Sequence, residues 1–416
     1  MRLQAIATLS RWSHRSLWIS VVLSVLLGVI LVIHNGSTLH FPDEHTYVAI
    51  ANNLAAHGRF SINGVRPTAR EAPGWPLFLG LLRVFGGNIV VFRLANVAFA
   101  AASVAAGWWL ARRVGGDAAA TLAAPALAIY PLSVYTTSTL YPQTMATALM
   151  LGGLVCAVKI RETSHRVRWA LLGGAIFGLL VLTVADLVIA IFVAAIWLAF
   201  GRPHFRPAMA VLLASAVAVV SVWIVRDELT MHAFIPVADN DGYNLLLGNS
   251  AHASIRAGVD TNIAQYLQGT GHDGEVALDN SLRRDAVDWI KANPGRAATL
   301  YVGRVADYFA PYDDLATKAQ ESSARNALAT ITYIPLLILF IWRLALWGRR
   351  RPKGLEKVMI WLYLSDALVD AIFFTRVRFR VPLDAVLIIV VASMIAWKPL
   401  SNPSAPRGLS VSADPT

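Results

Sequence analysis

Long apolar runs separated by short basic stretches organise this chain. The runs fall near residues 17–34, 90–111, 117–135, 141–158, 169–200, 208–225, 326–346, 357–374 and 382–397. A run of about 18 apolar residues or more can cross a bilayer as a helix, so the pattern predicts an all-α polytopic membrane protein. Lys and Arg collect at the N-terminus, at Arg112-Arg113, from Lys159 to Arg168, from Arg202 to Arg206, from Arg349 to Lys357 and at Lys398. Short basic loops stay cytoplasmic, and placing all these clusters on one side fixes the parity of crossings between them. The clusters that flank residues 169–200 share a side only if that stretch crosses twice. It is too long for one helix and short for two, and Asp186 interrupts it near its middle. A hairpin of two short helices is therefore expected there, giving about ten transmembrane helices with both ends cytoplasmic.

Two less apolar segments then lie outside. Residues 1–225 form an N-terminal transmembrane module that includes a first external loop, 35–88. Residues 226–325 form a larger extracytoplasmic segment, 326–398 hold the C-terminal transmembrane helices, and the Ser/Pro-rich stretch 399–416 reads as a disordered cytoplasmic tail. In the first loop, a helix starting at Pro42 should end at Gly58, where glycine commonly closes helices. Pro73-Gly74-Trp75-Pro76 reads as a rigid turn, and Leu77 to Phe85 as a helix lying in the interface. In the larger segment a turn-rich stretch surrounds Gly242, and a helix from about Ser281 to Ala292 stops at Asn293-Pro294.

Composition agrees with this class and narrows the partners. Hydrophobic residues make up 56% of the chain and charged ones 15%, which excludes an ordinary soluble domain. A net charge of +11 would suggest nucleic acid in a soluble protein. Here the basic residues mark topology, so membrane lipids are expected as partners and nucleic acid is not. The single cysteine, Cys156, allows no intramolecular disulfide and no cysteine metal site. No small-residue cleavage site follows Leu17 to Ile33, so that run reads as a retained anchor.

Two external features carry candidate chemistry. The first is Phe41-Pro42-Asp43-Glu44-His45-Thr46-Tyr47, which starts a helix just past the first apolar run. Asp43 and Glu44 either complement the helix dipole or do proton chemistry on a substrate arriving from the lipid. Tyr47 lies one turn on from Asp43 and either packs or shapes an acceptor site. The second is the last external loop, Thr375 to Val381, with Arg376, Arg378 and Arg380 on the side where short loops avoid positive charge. Guanidinium forks suit phosphate oxygens, so a lipid-linked phosphate is the expected partner; pairing with the external acids is the alternative. Arg93 and Arg83 flank the second run and either assist with phosphate or snorkel. Asp186 is either functional in an apolar segment or at the water interface of the hairpin turn. His40, His45 and His57 lack a metal-binding spacing, and Asn35-Gly36-Ser37 matches a glycosylation sequon of little weight. Carboxylate to deprotonate a hydroxyl and guanidinium to stabilise a departing phosphate match sugar transfer from a polyprenyl phosphate.

The chain resembles the multi-spanning GT-C glycosyltransferases that use polyprenyl-phosphate sugars, near the bacterial relatives of protein O-mannosyltransferases and the aminoarabinose transferases. The resemblance rests on Asp43-Glu44 with Tyr47, then Asn53-Leu54 to Gly58-Arg59-Phe60. It continues in Pro67-Thr68-Ala69, in Ala72-Pro73-Gly74-Trp75-Pro76-Leu77-Phe78-Leu79, and in Trp223 to Arg226. Phe234-Ile235-Pro236, Gly242-Tyr243-Asn244 to Gly248-Asn249, and Arg378-Phe379-Arg380-Val381-Pro382-Leu383 complete the series. No one motif is specific; their order over residues 40–385 is. The resemblance implies an inverting transferase in a bacterial inner membrane, with an extracytoplasmic site and a lipid-linked sugar donor. A glycan, a lipid or a protein would accept the sugar. It implies Asp43 as base with Glu44 beside it, and Arg376, Arg378 and Arg380 at the donor phosphate, where Arg93 is a further candidate from its position beside the second run. Tyr47, Arg70, Tyr243 and Asn244 are the further substrate-binding candidates.

Two positions depart from the family pattern. Relatives often carry an acid where this chain has Gln143, and Arg-Pro where it has Val184-Ala185-Asp186. The first departure makes a two-carboxylate metal site harder to build, so no essential metal or other cofactor is expected. A transporter or flippase of a lipid-linked anion, and a catalytically silent lipid-sugar-binding relative, are the rival expectations.

Overall fold

The computed structural model describes residues 2–200, 203–256, 258–268, 274–313 and 322–397. Its described residues form helices and connecting loops, without a β-strand. In chain order these are α1 (Arg2–Asn35), α2 (Pro42–His57), α3 (Gly74–Val84), α4 (Ile89–Ile129), α5 (Pro131–Thr137) and α6 (Gln143–Glu162). Next come α7 (Arg166–Thr183), α8 (Val188–Ala199), α9 (Arg206–Met231), α10 (Asp241–Gly248) and α11 (Ala264–Leu267). The last five are α12 (Glu275–Ala292), α13 (Pro294–Asp307), α14 (Ser323–Ala345), α15 (Gly354–Asp370) and α16 (Val381–Ile395).

Six helices among the described residues are long and apolar enough to cross a membrane: α1, α4, α6, α7, α9 and α14. The chain is thus a multi-pass membrane protein, but ten crossings are not shown by length and composition. The shortfall has local causes. The basic pair Arg112-Arg113 does separate two apolar runs, yet they join as one helical element bent at Gly116, whose φ of 75° only glycine adopts readily. Residues 185–199, with a 3-10 turn at Ala185–Leu187, and α16 are shorter apolar helices. The expected hairpin is present as α7, that turn and α8, with Asp186 in the turn.

Other boundaries shifted for identifiable reasons. The run 117–135 breaks at Tyr130, because Pro131 starts α5 as its first residue. Pro73 to Pro76 is not a free-standing turn: Gly74 opens α3, and Pro76 fits its first turn, where no N–H is needed. The helix expected from Ser281 begins at Glu275. The tail 399–416 lies outside the described residues.

Packing follows membrane rules. On α1 the buried positions Ser13, Ser20, Ser24 and Gly28 recur on one helical face against α4. A side-chain carbon at Gly28 would come within 2.9 Å of Val97, so small residues let the two backbones approach. Residues Val381 to Met394 of α16 are all buried, between α4, α6, α14 and α15. A helix apolar on every face needs cover on every face, and α16 is the axis around which the bundle closes. Outside the bundle, Leu246, Leu247, Ile263, Leu282, Ala286 and Phe374 make a separate small core that joins α10 and α12 to the loop before α16.

Candidate functional site

The first turn of α2 separates its two adjacent acids. Pro42 sits at the helix start and Phe41 precedes it in an extended conformation. Glu44, fully buried, reaches back and accepts the backbone N–H groups of His40 (2.6 Å) and Phe41 (3.2 Å) on one oxygen. Its other oxygen accepts the N–H of Leu140 at 2.8 Å. Glu44 therefore caps its own helix and ties it to residues 139–141, which Asn96 and Trp75 hold from the other side through Thr139 O and Leu140 O. With Glu44 so occupied, Asp43 is the acid of the pair that lines a cavity of about 570 Å³.

The loop before α16 meets Asp43 there. Arg378 Nη1 donates to Asp43 Oδ2 at 3.0 Å, joining positions 335 residues apart. The guanidinium also lies 4.4 Å from the centre of the Tyr141 ring, a cation–π contact that holds it over the helix junction. The neighbouring arginines turn elsewhere. Arg376 pairs with Asp260 at 3.1 Å. Arg380 is buried against Asp384 (2.9 Å), the carbonyls of Tyr308 (2.5 Å) and Ala310 (2.9 Å), and the Tyr333 ring. Arg93 is buried too, donating to the carbonyls of Gly36 and Thr38 and so pinning the end of α1 to α4. Of the four arginines expected at a phosphate, only Arg378 lines the cavity. The others stabilise the fold around it, because a buried guanidinium must be paired.

The third wall is the loop between α2 and α3, and it is held from several directions. Arg226 donates to Thr68 O (2.8 Å) and Phe60 O (3.1 Å). Glu275 accepts from Thr68 Oγ1 (2.8 Å) and Ala69 N (2.7 Å). Asp239 N donates to Ala69 O, and Asn240 Nδ2 to Arg70 O. This clamp presents Arg70 and Glu71 to the cavity. Arg70 lies 5.7 Å from the Tyr243 ring. Tyr243 and Asn244 line the same space at the start of α10, where the N–H groups of Gly242 (3.0 Å) and Tyr243 (2.8 Å) donate to Asp279. Tyr47 also faces the cavity.

Sequence reasoning passed over several acids of this site. Glu71, Asp186, Asp239 and Asp370 line the cavity. Of these, the sequence marks only Asp186, as either functional or at the water interface of the hairpin turn; it lies in the cavity wall. Burial first, then the charge of Asp43, raises the Glu71 carboxyl from the usual 4.5 to about 7. Burial and the nearby Asp279 raise Asp239 to about 7 as well. The signal for Glu71 was present: Arg70-Glu71 is a charged pair inside a Pro- and Ala-rich stretch. Gln143, the first departure from the family pattern, lines the cavity with a buried Oε1 that has no hydrogen-bond partner. Among the described residues no group of three or more His, Cys, Asp or Glu is arranged to hold a metal ion.

The cavity therefore offers one guanidinium beside a carboxylate at its α2 wall, a second at Arg70, a third at Arg283 where it pairs with Asp241 and Asp279, and further carboxylates around the rest. Such a site can seat a phosphate at Arg378 and accept hydrogen bonds from sugar hydroxyls elsewhere.

Comparison with known proteins bears on the fold and on one segment of the chain. Residues 71–225 match the sequence profile of the family described as dolichyl-phosphate-mannose-protein mannosyltransferase. That match starts at Glu71 and leaves Asp43 and Arg378 outside it. The chain is similar in structure to the apo oligosaccharyltransferase of Archaeoglobus fulgidus, with TM-score 0.55 and 12% identity over 92% of this chain and 50% of that one. It is also similar to the oligosaccharyltransferase AglB of the same organism in complex with an inhibitory peptide and a dolichol-phosphate. Here the TM-score is 0.52, with 14% identity over 91% of this chain and 50% of that one. ArnT from Cupriavidus metallidurans bound to undecaprenyl phosphate aligns with TM-score 0.44 and 14% identity, over 91% of this chain and 78% of its own. No curated protein sequence matches the chain. The chain spans about half the length of the archaeal structures it matches. The fold is GT-C-like, as the sequence resemblance implied, and the family match is confined to residues 71–225.

Proposed function

We propose that this protein is an inverting glycosyltransferase that moves a sugar from a polyprenyl phosphate to an acceptor hydroxyl inside the Asp43–Arg378 cavity. The observation that carries the reading is the 3.0 Å approach of Arg378 to Asp43 in a cavity. It sets a phosphate-binding cation beside a candidate base, and the dolichol-phosphate complex of the structurally similar AglB supports that donor class. The donor phosphate docks on Arg378, whose fork has donors beyond the one given to Asp43. Asp43 accepts the acceptor hydroxyl proton as that oxygen attacks the anomeric carbon from the face opposite the phosphate. The bond from that carbon to the phosphate oxygen breaks, its electron pair leaves with the polyprenyl phosphate, and Arg378 stabilises the charge that develops. Tyr47, Arg70, Tyr243 and Asn244 line the space left for sugar and acceptor. The acceptor is a hydroxyl of a glycan, a lipid or a protein.

The topology belongs to the same proposal. Counting α4 as two crossings on either side of Gly116, and taking the shorter helices α8, α15 and α16 as crossings too, gives ten. With the basic loops cytoplasmic, the proposed cavity faces the extracytoplasmic side, and the membrane proposed is the bacterial inner membrane. The test is transfer from a panel of undecaprenyl-phosphate sugars by the purified protein in lipid nanodiscs. Removing a positioned general base lowers turnover by about 10²–10⁴-fold, so Asp43→Asn should retain no more than a trace. Wild-type-like turnover in that variant overturns the assignment of the base.

A further inference from the structure

We infer that Glu71 is the proton-holding group of this site: it takes the acceptor proton from Asp43, and its later ionisation drives polyprenyl phosphate off Arg378. The inference rests on the glycosyl-transfer reading above. Four observations lead to it. Glu71 lines the same cavity as Asp43 and Arg378. Its backbone neighbours Thr68, Ala69 and Arg70 are fixed by Arg226, Glu275, Asp239 and Asn240. The carboxyl itself has neither a hydrogen-bond nor an ion-pair partner among the described residues. Its oxygens stay open to the cavity, since neither is among the sealed polar atoms. A structural carboxylate in this chain looks different: Glu44 spends its oxygens on three backbone N–H groups and Asp384 on Arg380 and Tyr130. Glu71 is held in place and left unpaired.

The chemistry of the cycle calls for such a group. When Asp43 takes the acceptor proton it becomes neutral, and Arg378 is left to the product phosphate alone. Release is easier once Asp43 is a carboxylate again and competes for the guanidinium. A proton passed from Asp43 to Glu71 restores that competitor. When Glu71 then gives the proton to water, a second negative charge faces the phosphate. No bond other than O–H changes in these steps, and one proton per turnover reaches solvent. The charged and titratable groups that face Glu71 are Asp43 and Tyr47 on α2, Arg378 on the loop before α16, Arg70 on its own loop, and Glu275 at the start of α12. The carboxyl raised to about 7 by burial and by Asp43 matches a proton held near neutral pH and then released.

Binding of undecaprenyl phosphate, the reaction's shared product, tests this without knowledge of the sugar. Its affinity for the purified full-length protein is measured between pH 5.5 and 8.5 for wild type, Glu71→Gln and Glu71→Asp. The ligand's own ionisation is common to all three curves. At pH 8.5 wild type should bind about tenfold more weakly than Glu71→Gln, and at pH 5.5 the two should agree, because a proton on one site and a ligand on the other are reciprocally linked. Glu71→Asp should keep a pH-dependent deficit. Parallel wild-type and Glu71→Gln curves overturn the inference, as does a deficit equal at every pH. If wild type binds no undecaprenyl phosphate at any pH, the glycosyl-transfer reading itself falls.

Discussion

Replacing Glu44 by Gln should unfold this protein far more readily than replacing Asp43 by Asn, although the two acids are adjacent. Glu44 is wholly buried and accepts three backbone N–H groups: His40 at 2.6 Å, Phe41 at 3.2 Å and Leu140 at 2.8 Å. An amide in its place turns one acceptor oxygen into an NH₂ group that faces at least one N–H donor. The variant loses the Leu140 bond or both bonds at the helix start, and leaves those buried donors unpaired. Each hydrogen bond to a charged group is worth about 1.5–3 kcal/mol, so the total is about 3–5 kcal/mol. Asp43 makes one ion pair on a partly exposed side chain (39%), a contact worth about 0–1 kcal/mol. Thermal unfolding of the purified variants in one detergent separates the cases. Glu44→Gln should melt well below wild type or fail to accumulate in the membrane, while Asp43→Asn melts with wild type and loses turnover. A Glu44→Gln protein as stable as wild type would refute the capping-strut reasoning.

Other outcomes follow from the same geometry. Glu71→Gln should stabilise the folded protein at high pH. Wild type keeps the Glu71 proton up to about 7 when folded but releases it near 4.5 when unfolded, so its stability is full below 4.5 and falls as pH rises through 7. At about 1.4 kcal/mol per pH unit the ceiling is about 3 kcal/mol, and partial solvent screening reduces it to about 1–2. Melting curves of the two proteins should coincide near pH 4.5 and separate by pH 8; a constant gap would count against it. Arg380→Ala leaves Asp384 buried without its 2.9 Å partner and should cost about 3–5 kcal/mol, read as lost folded yield, whereas Arg378→Ala should purify normally. Gly248→Ala should destabilise the loop that carries Arg378, because an added carbon there collides with Phe373 O; limited proteolysis between residues 371 and 380 reports it.

The fold class and the hairpin were readable because membrane crossing constrains length, apolarity and loop charge together. Gly116 and Pro131 show where that reading stops: charged residues mark the sequence around Gly116 yet the helical element runs on through a bend, whereas at Pro131 apolarity continues and only backbone geometry ends the helix. Asp43, Tyr47, Arg70, Tyr243, Asn244 and Arg378 share one cavity, so much of the candidate site was visible in motif order. The partners of Arg376, Arg380 and Arg93 were not. Those are Asp260, Asp384, and the carbonyls of Gly36 and Thr38, and all but Asp384 lie far from their arginine in sequence. Glu71 had a sequence signal in the Arg70-Glu71 pair, but what singles it out is the absence of a partner in a clamped loop, which only the structure shows.

The central claim is that a polyprenyl phosphate places its phosphate on Arg378 next to Asp43. An experimental structure of the protein with undecaprenyl phosphate measures this directly. The expected result is phosphate density in the cavity within about 3 Å of the Arg378 guanidinium, with the Asp43 carboxylate facing the position the sugar would occupy. Phosphate density outside that cavity, with the Arg378–Asp43 pair unchanged, would contradict the account.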